Sequence, residues 1–133
     1  MRKLFIPIFL CLVLLCACSN SPDNELIKAS KNFDKIYYEI IKDVDTNDLD
    51  GMLHILESDT NVERFTELKN IITQVEQIEP STMKLRQLKT NIINKYDDMI
   101  FLIDSLKRFD TLTEEERRRI DRIRVFIEFD KDS

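Results

Sequence analysis

Glycine and histidine are scarce in this sequence, since the 133 residues contain one of each. A single glycine, Gly51, excludes the glycine-rich loops that cradle phosphate groups, and it argues against a turn-rich all-β fold. A single histidine, His54, cannot form a metal site built from several histidines. Leucine, isoleucine, lysine and glutamate are abundant, and apolar residues recur at helical spacing, so the sequence predicts an all-α protein.

The three cysteines all lie near the start of the chain, in or directly after an apolar run. Arg2 and Lys3 precede this run, which covers residues 4–15 and is interrupted by Pro7. A transmembrane helix needs roughly 20 apolar residues, so the run is shorter than a membrane span. A basic start, a short apolar run and small residues at its end predict a secretory signal peptide. An uncleaved short anchor and a buried core helix are the alternatives.

The apolar run ends in Leu15-Cys16-Ala17-Cys18, which resembles the lipobox of bacterial lipoproteins. The resemblance covers residues 1–18, and only Cys16 differs from the residues commonest in that family. It implies a diacylglyceryl group on the Cys18 sulfur, cleavage between Ala17 and Cys18, and usually acylation of the new N-terminus with a fatty acid such as palmitate. A thiol suits attack on a lipid donor, and Ala17 is small enough for a peptidase cleft.

The lipobox resemblance implies a domain organisation and a location. Residues 1–17 would be a cleaved signal peptide, residues 18–21 a lipidated cysteine with a short tether, and residues 22–133 a helical bundle domain. The protein would be lipid-anchored on the extracytoplasmic side of the cell membrane. Because Ser19 follows the lipidated cysteine, the family's sorting rule implies the outer membrane if the organism has one.

The mature chain would keep one cysteine and a strongly acidic composition. Because the lipid occupies Cys18, a structural disulfide, a redox cysteine pair and a thiolate metal cluster are excluded. Without Arg2 and Lys3, the formal net charge falls from −5 to about −7. A negative domain is repelled by nucleic acid and by anionic lipid, so we expect neither to be a partner of the domain.

Apolar periodicity predicts an antiparallel up-and-down bundle of four main helices plus one short helix. The predicted helices cover residues 22–43, 48–57, 62–78, 82–109 and 114–128. Predicted caps are Ser21, a Thr60-Glu63 capping box, Ser81, and a Thr113-Glu116 capping box. On the first helix, the 4-3-4-3-4 spacing predicts a buried seam of Leu26, Ser30, Phe33, Tyr37, Ile40 and Val44.

The other helices have comparable apolar positions. In the first helix, Ile27, Ile36 and Ile41 are expected to widen the buried stripe. Residues 99–103 are apolar all round, which predicts a central helix that is buried on every face. Residues 125–129 have strand-like residue types, but the capping box upstream favours a helix. The remaining predicted core positions are Leu49, Met52, Leu53, Leu56, Val62, Phe65, Leu68, Ile72, Val75, Ile78, Leu85, Leu88, Ile92, Tyr96, Met99, Ile103, Leu106, Ile120, Ile123 and Ile127.

An acidic connector over residues 43–51 is the strongest metal candidate. Asp43, Asp45 and Asn47 match the first oxygen ligands of an EF-hand-type calcium loop. The match then fails, because Asp48 stands where the loop needs glycine and His54 stands where it needs a bidentate glutamate. The sequence therefore favours a solvated acidic linker in which Asp48 stabilises the start of the next helix.

Catalytic groups have no supporting pattern in this chain. His54 has Ser58, Ser81 and Ser105 as formal partners for a triad, but no nucleophile elbow surrounds them. Asp97, Asp98 and Asp104 lie on the central helix, where Asp97 and Asp104 share a face with Ile100. A narrow bundle offers little cleft for acid–base chemistry. We therefore predict that the protein is not an enzyme and needs no cofactor.

The last predicted helix carries a cluster of five arginines: Arg117, Arg118, Arg119, Arg122 and Arg124. Glu114–Arg118 and Glu115–Arg119 are spaced for i,i+4 ion pairs, which favours a solvated, self-paired face. The alternative is a partner-binding face, for which Arg118 and Arg122 are the candidates. The sequence thus predicts a non-catalytic protein-interaction module, of which an immunity or exclusion lipoprotein is one form. A calcium-binding or small-molecule-binding protein is the alternative, and an envelope hydrolase has the least support.

Overall fold

The structure is a computed structural model that describes residues 21–133, and the predicted signal peptide and Cys18 lie outside these residues. Within residues 21–133 the chain is helical and has no strand, which confirms the predicted all-α bundle. Four long helices, one short helix and a 3-10 turn follow one another along the chain. They are α1 (Pro22–Ile41), α2 (Leu49–Leu56), α3 (Asp59–Glu76), α4 (Met83–Lys107), the 3-10 turn (Phe109–Thr111) and α5 (Glu114–Lys131).

Helix α3 runs antiparallel to both α1 and α4. Arg64 near the start of α3 lies 3.7 Å from the carboxylate of Glu39 near the end of α1. Lys89 near the start of α4 donates a hydrogen bond of 2.7 Å to the carbonyl of Ile78, just after α3. Helix α4 packs against each of the other four α-helices, as expected of the central helix of the bundle.

Side-chain caps fix the helix starts, and three of the predicted caps are confirmed. The hydroxyl of Ser21 accepts a hydrogen bond from the backbone N–H of Asn24, and Asp48 caps α2 in the same way. Thr113 and Glu116 form the predicted capping box at the start of α5, with both reciprocal hydrogen bonds present. Each such cap satisfies N–H groups that the first helical turn would otherwise leave without a partner.

Two predicted caps are wrong. Ser58, not Thr60, caps α3, because α2 and α3 are joined by a turn so short that α3 already begins at Asp59. Thr82, not Ser81, caps α4. Ser81 is engaged elsewhere, since its hydroxyl and its backbone N–H both donate to the carboxylate of Asp23. These two hydrogen bonds lower the pKa of Asp23 and join the start of α1 to the turn before α4.

The core is one apolar cluster formed by all five α-helices and by residues just after them. The predicted α1 seam from Leu26 to Val44 is buried, including Ser30. Three predicted core positions are wrong, because Ile27 and Val62 are exposed and Ile100 is 42% exposed. Residues 99–103 are therefore not buried on every face. Met99 and Leu102 are buried, whereas Ile100 lies on the outer side of α4.

Helix α5 packs across α4 and the end of α1. Its three predicted core residues, Ile120, Ile123 and Ile127, are buried as expected. The helix continues to Lys131, three residues beyond its predicted end, so residues 125–129 are helical rather than extended. None of the helices within residues 21–133 combines the length and the apolar character needed to cross a bilayer.

Candidate partner-binding face on the last helix

Helix α5 has two faces of different chemistry. Its isoleucines point into the core, and on the opposite side two arginines lie in line with three apolar residues. Four of these residues are spaced 4-3-4 along the chain, which places them in one row on a helix. We call this surface the outer face, and it consists of Arg118, Arg122, Val125, Phe126 and Phe129.

The apolar half of the outer face is unusually exposed. Val125 is 67% exposed, Phe126 58% and Phe129 71%. Scattered exposed apolar residues are normal on a soluble protein, but three such side chains within five residues of one helix form a contiguous patch. Aromatic residues and arginine are also the types enriched at the centres of protein interfaces.

Three of the five arginines on α5, Arg117, Arg119 and Arg124, contact residues of the bundle outside α5. Arg117 lies 4.6 Å from the ring centroid of Phe109 and donates to its carbonyl. Arg119 lies 4.0 Å from the ring centroid of Phe101 and forms an ion pair of 3.1 Å with Asp98. The predicted Glu115–Arg119 pair is therefore wrong, because an aromatic ring and a carboxylate on α4 bind this guanidinium instead.

The other two arginines point away from the bundle. Arg118 forms the predicted i,i+4 pair with Glu114 at 2.8 Å, and both side chains are largely exposed. Exposed pairs of this kind contribute little to stability and exchange readily with other partners. Arg122 makes no hydrogen bond or ion pair within residues 21–133. The predicted candidates Arg118 and Arg122 are thus the two arginines of α5 whose side chains make no hydrogen bond or ion pair with a described residue outside this helix.

A groove of about 300 Å³ between α4 and α5 borders the outer face at Phe126. Tyr37 and Lys95 line it beside Asp130, whose carboxylate accepts a hydrogen bond of 3.1 Å from the Tyr37 hydroxyl. Burial, followed by the negative charge of Asp130, raises the pKa of Tyr37, so this tyrosine stays a neutral donor. The groove therefore combines a hydrogen-bonded polar side at Tyr37 and Asp130 with apolar side chains such as Phe126 and Met99.

The fifth arginine belongs to a contact that holds the acidic connector against α5. Arg124 donates to the carbonyl of Thr46 at 2.6 Å, and Lys131 donates to the carbonyl of Val44 at 2.7 Å. Between them, Glu128 accepts a hydrogen bond of 2.8 Å from the buried Thr46 hydroxyl, which lowers the pKa of Glu128. We call these three α5 residues the connector clamp. They lie at i, i+4 and i+7, one turn apart on one side of α5.

The calcium candidates in the connector are used for local structure. The carboxylate of Asp45 accepts the backbone N–H of Asn47 at 3.0 Å, which is a turn within the connector. Asp43 and Asn47 are exposed. Within residues 21–133, no group of three or more histidine, cysteine, aspartate or glutamate side chains is arranged to hold a metal ion.

Within residues 21–133, no hydrogen bond joins His54 to a serine candidate. His54 is exposed on α2, Ser58 caps α3, and Ser81 binds Asp23. Ser105 is fully buried, and its hydroxyl has no partner among the described residues. Nothing in this arrangement links a serine nucleophile to a histidine base.

The carboxylates of α4 also have structural surroundings. Asp98 binds Arg119, and Asp104 forms an ion pair of 3.1 Å with Arg108. Asp97 and Asp104 are exposed together with Ile100, so the acid groups that share this face lie in solvent rather than near the core.

Comparisons with models of known protein families, with curated proteins and with solved structures give no significant match. The outer face is therefore described from its own residues. Its signal was present in the sequence, because the row from Arg118 to Phe129 stands opposite the row of isoleucines on the same helix. The connector clamp had no such signal, since it joins residues about 80 positions apart in the chain.

Proposed function

We propose that this protein is a non-catalytic protein-binding module, held on the extracytoplasmic side of a bacterial membrane by a lipid on Cys18, and that it binds its partner through the outer face of α5. The observation that carries the proposal is the contiguous exposure of Val125, Phe126 and Phe129 beside two exposed arginines that contact no other helix of the bundle. The anchor rests on the lipobox-like residues 15–18.

An aromatic side chain left in water forgoes the free energy that its burial would contribute. Complete burial of a phenylalanine side chain contributes roughly 1.5–3 kcal/mol relative to leaving it in water. Two phenylalanines that remain mostly exposed therefore forgo several kcal/mol that a partner surface would recover. Residues on the outer side of a soluble helix are under no folding requirement to be aromatic. A binding requirement explains both the aromatic residues and their grouping.

The position of α5 fits an anchored module. Asp130 near the end of α5 binds Tyr37, which lies about 22 Å along α1 from Pro22, at 1.5 Å per residue. The proposed tether of residues 18–21 spans about 13 Å when extended. A bundle that stands on the start of α1 would hold the outer face well away from the lipid headgroups, where another protein of the envelope can reach it.

Site-specific photo-crosslinking in the cells that produce the protein tests the binding face. A photoreactive amino acid replaces Phe129 in one variant and Val62 in a control variant. Val62 is also an exposed apolar residue, but it lies alone on α3. We expect a discrete crosslinked species from position 129 and none at that mass from position 62. Identical patterns at both positions, or no adduct at position 129, would contradict the proposed binding face.

The anchor has a separate test. Cells labelled with radioactive palmitate are compared for the natural protein and for the Cys18→Ser variant, with Cys16→Ser as the control. Lipidation should be lost only in Cys18→Ser, and that variant should also retain its signal peptide. Continued palmitate incorporation in Cys18→Ser would refute the assignment of the anchor without bearing on the outer face.

A further inference from the structure

The outer face is chemically divided along its length. Its N-terminal half presents the guanidinium groups of Arg118 and Arg122, and its C-terminal half presents Val125, Phe126 and Phe129. From residue 118 to residue 129 the row is about 17 Å long, which is three helical turns. Such a row has the dimensions and the 4-3-4 spacing of a helix-packing surface.

A groove beside the row offers a binding place for a side chain of the partner. The groove of about 300 Å³ between α4 and α5 opens next to Phe126 and is also lined by Met99 and Ile123. A helix packed along α5 would place one of its large apolar residues over this groove. Its preceding or following turns would lie against Arg118 and Arg122.

The positive charge of Arg118 and Arg122 favours a partner with negative charge. The guanidinium of Arg122 has no acidic partner within residues 21–133, and that of Arg118 has only the exposed Glu114. Arginine forms bidentate hydrogen bonds with carboxylates, so two carboxylates one turn apart on a packed helix would match these two groups. Like charges in the same positions would be repelled.

We propose that the partner segment is an acidic amphipathic helix, whose apolar residues cover Val125, Phe126, Phe129 and the adjacent groove while its carboxylates bind Arg118 and Arg122. This inference rests on the proposed function and adds the chemistry of the partner to it. The domain's own net charge is negative, so the basic row is a local exception and directs acidic segments to this one surface.

Two synthetic peptides of about 18 residues test the charge selection. Both carry four leucines on one helical face, and one has glutamate where the other has lysine beside that face. Binding to the purified full chain is followed by fluorescence anisotropy at low salt. We expect the glutamate peptide to bind at least about tenfold more tightly than the lysine peptide, with a difference that shrinks at high salt.

A charge-reversed protein makes the test specific to this row. Arg118→Glu/Arg122→Glu should invert the preference, so that the lysine peptide binds more tightly. Lys84→Glu/Arg86→Glu changes the net charge equally at exposed positions on α4 and should keep the preference for glutamate. Phe129→Ala should weaken both peptides to a similar degree, because it removes the apolar contact and leaves the charges unchanged.

Several outcomes would overturn the inference. Equal binding of the two peptides, or loss of the preference in Lys84→Glu/Arg86→Glu, would show that Arg118 and Arg122 do not select the partner. A dimer that Phe129→Glu converts to a monomer in sedimentation experiments would identify a second copy as the occupant. Tighter binding to anionic phosphatidylglycerol vesicles than to the glutamate peptide would identify a bilayer. Photo-crosslinking at position 129 tests the proposed function independently of these experiments. A failure of this inference can therefore be distinguished from a failure of the proposed function.

Discussion

Ile127 and Phe129 lie two positions apart on α5 and face opposite sides of the helix, and replacing each by alanine should have very different effects. Ile127 is fully buried in the core, whereas Phe129 is 71% exposed on the outer face. Truncating a buried isoleucine to alanine removes its transfer free energy and leaves a cavity, which typically costs about 2–5 kcal/mol. Truncating an exposed side chain usually changes the free energy of unfolding by no more than about 0.5 kcal/mol.

The Phe129→Ala variant can even be slightly more stable than the natural protein. Alanine has a higher helix propensity than phenylalanine, by a few tenths of a kcal/mol at an exposed helical position. We therefore expect Ile127→Ala to lower the free energy of unfolding by about 3 kcal/mol and Phe129→Ala to leave it within about 0.5 kcal/mol. The apolar side chain at position 129 would then be dispensable for folding.

Urea unfolding of the purified protein, followed by far-ultraviolet circular dichroism, measures both values. The three curves should share one m-value, because neither change alters the surface exposed on unfolding. A loss above about 1.5 kcal/mol in Phe129→Ala would show that this ring is packed in the folded protein, and the outer face would lose its main evidence. A negligible loss in Ile127→Ala would show that α5 is not docked through its isoleucines.

Three further predictions concern individual side chains. Thr46→Val, which removes the hydroxyl that donates to Glu128, should lower the free energy of unfolding by about 1 kcal/mol in urea, and no loss would mean that the connector clamp is not formed. Ser105→Ala should raise the free energy of unfolding by about 1 kcal/mol, because a buried hydroxyl without a hydrogen-bond partner is removed. A loss of stability in this variant would show that the hydroxyl does form a hydrogen bond in the folded protein. Hydrogen bonds from Arg108 and from the cap backbone lower the pKa of Glu116 from 4.5 to about 2, so its stabilising contribution is complete above pH 4.5 and is lost as pH falls to 2. Thermal unfolding from pH 5 to pH 2 should therefore depend less on pH in Glu116→Gln than in the natural protein, and equal pH dependence would contradict this.

Most of the fold could be predicted from the sequence because the apolar spacing gives each helix and the predicted caps agree with it at α1, α2 and α5. The isoleucines of α5 and the Thr113 capping box are local signals, and both are confirmed. Errors arose where the local pattern competes with a tertiary contact. Ser81 resembles a cap, but its hydroxyl binds Asp23 from a helix that lies 58 residues earlier in the chain. A single sequence carries no local record of that contact.

Predicting the candidate site from the sequence was only partly successful. Arg118 and Arg122 are the predicted candidates for a partner-binding face, and the structure leaves both side chains exposed. Their neighbour Arg119 has the same i−4 glutamate spacing as Arg118, yet it binds Asp98 and lies on the ring of Phe101. Spacing within one helix shows which pairs are within reach, but the packing of α5 on α4 decides which pair forms.

The exposed phenylalanines show a second limit of predicting the candidate site from the sequence. Phe126 and Phe129 follow Ile123 closely, and an apolar run of this kind is compatible with a buried helix end. Their helical spacing from the buried isoleucines already places them away from the core, and the structure shows both rings exposed. A prediction of burial from hydrophobicity alone fails wherever an apolar side chain is kept for a partner.

The most direct test of the account is hydroxyl-radical footprinting of Phe126 and Phe129 in the membranes of producing cells and in the purified full chain. If a partner covers the outer face, oxidation of both rings should fall several-fold in the membranes. Oxidation of Met83, which is exposed at the start of α4, should stay unchanged between the two samples. Equal oxidation of the two phenylalanines in both samples would contradict the proposed binding face, because the outer face would then be as uncovered in the cell as it is in the isolated protein.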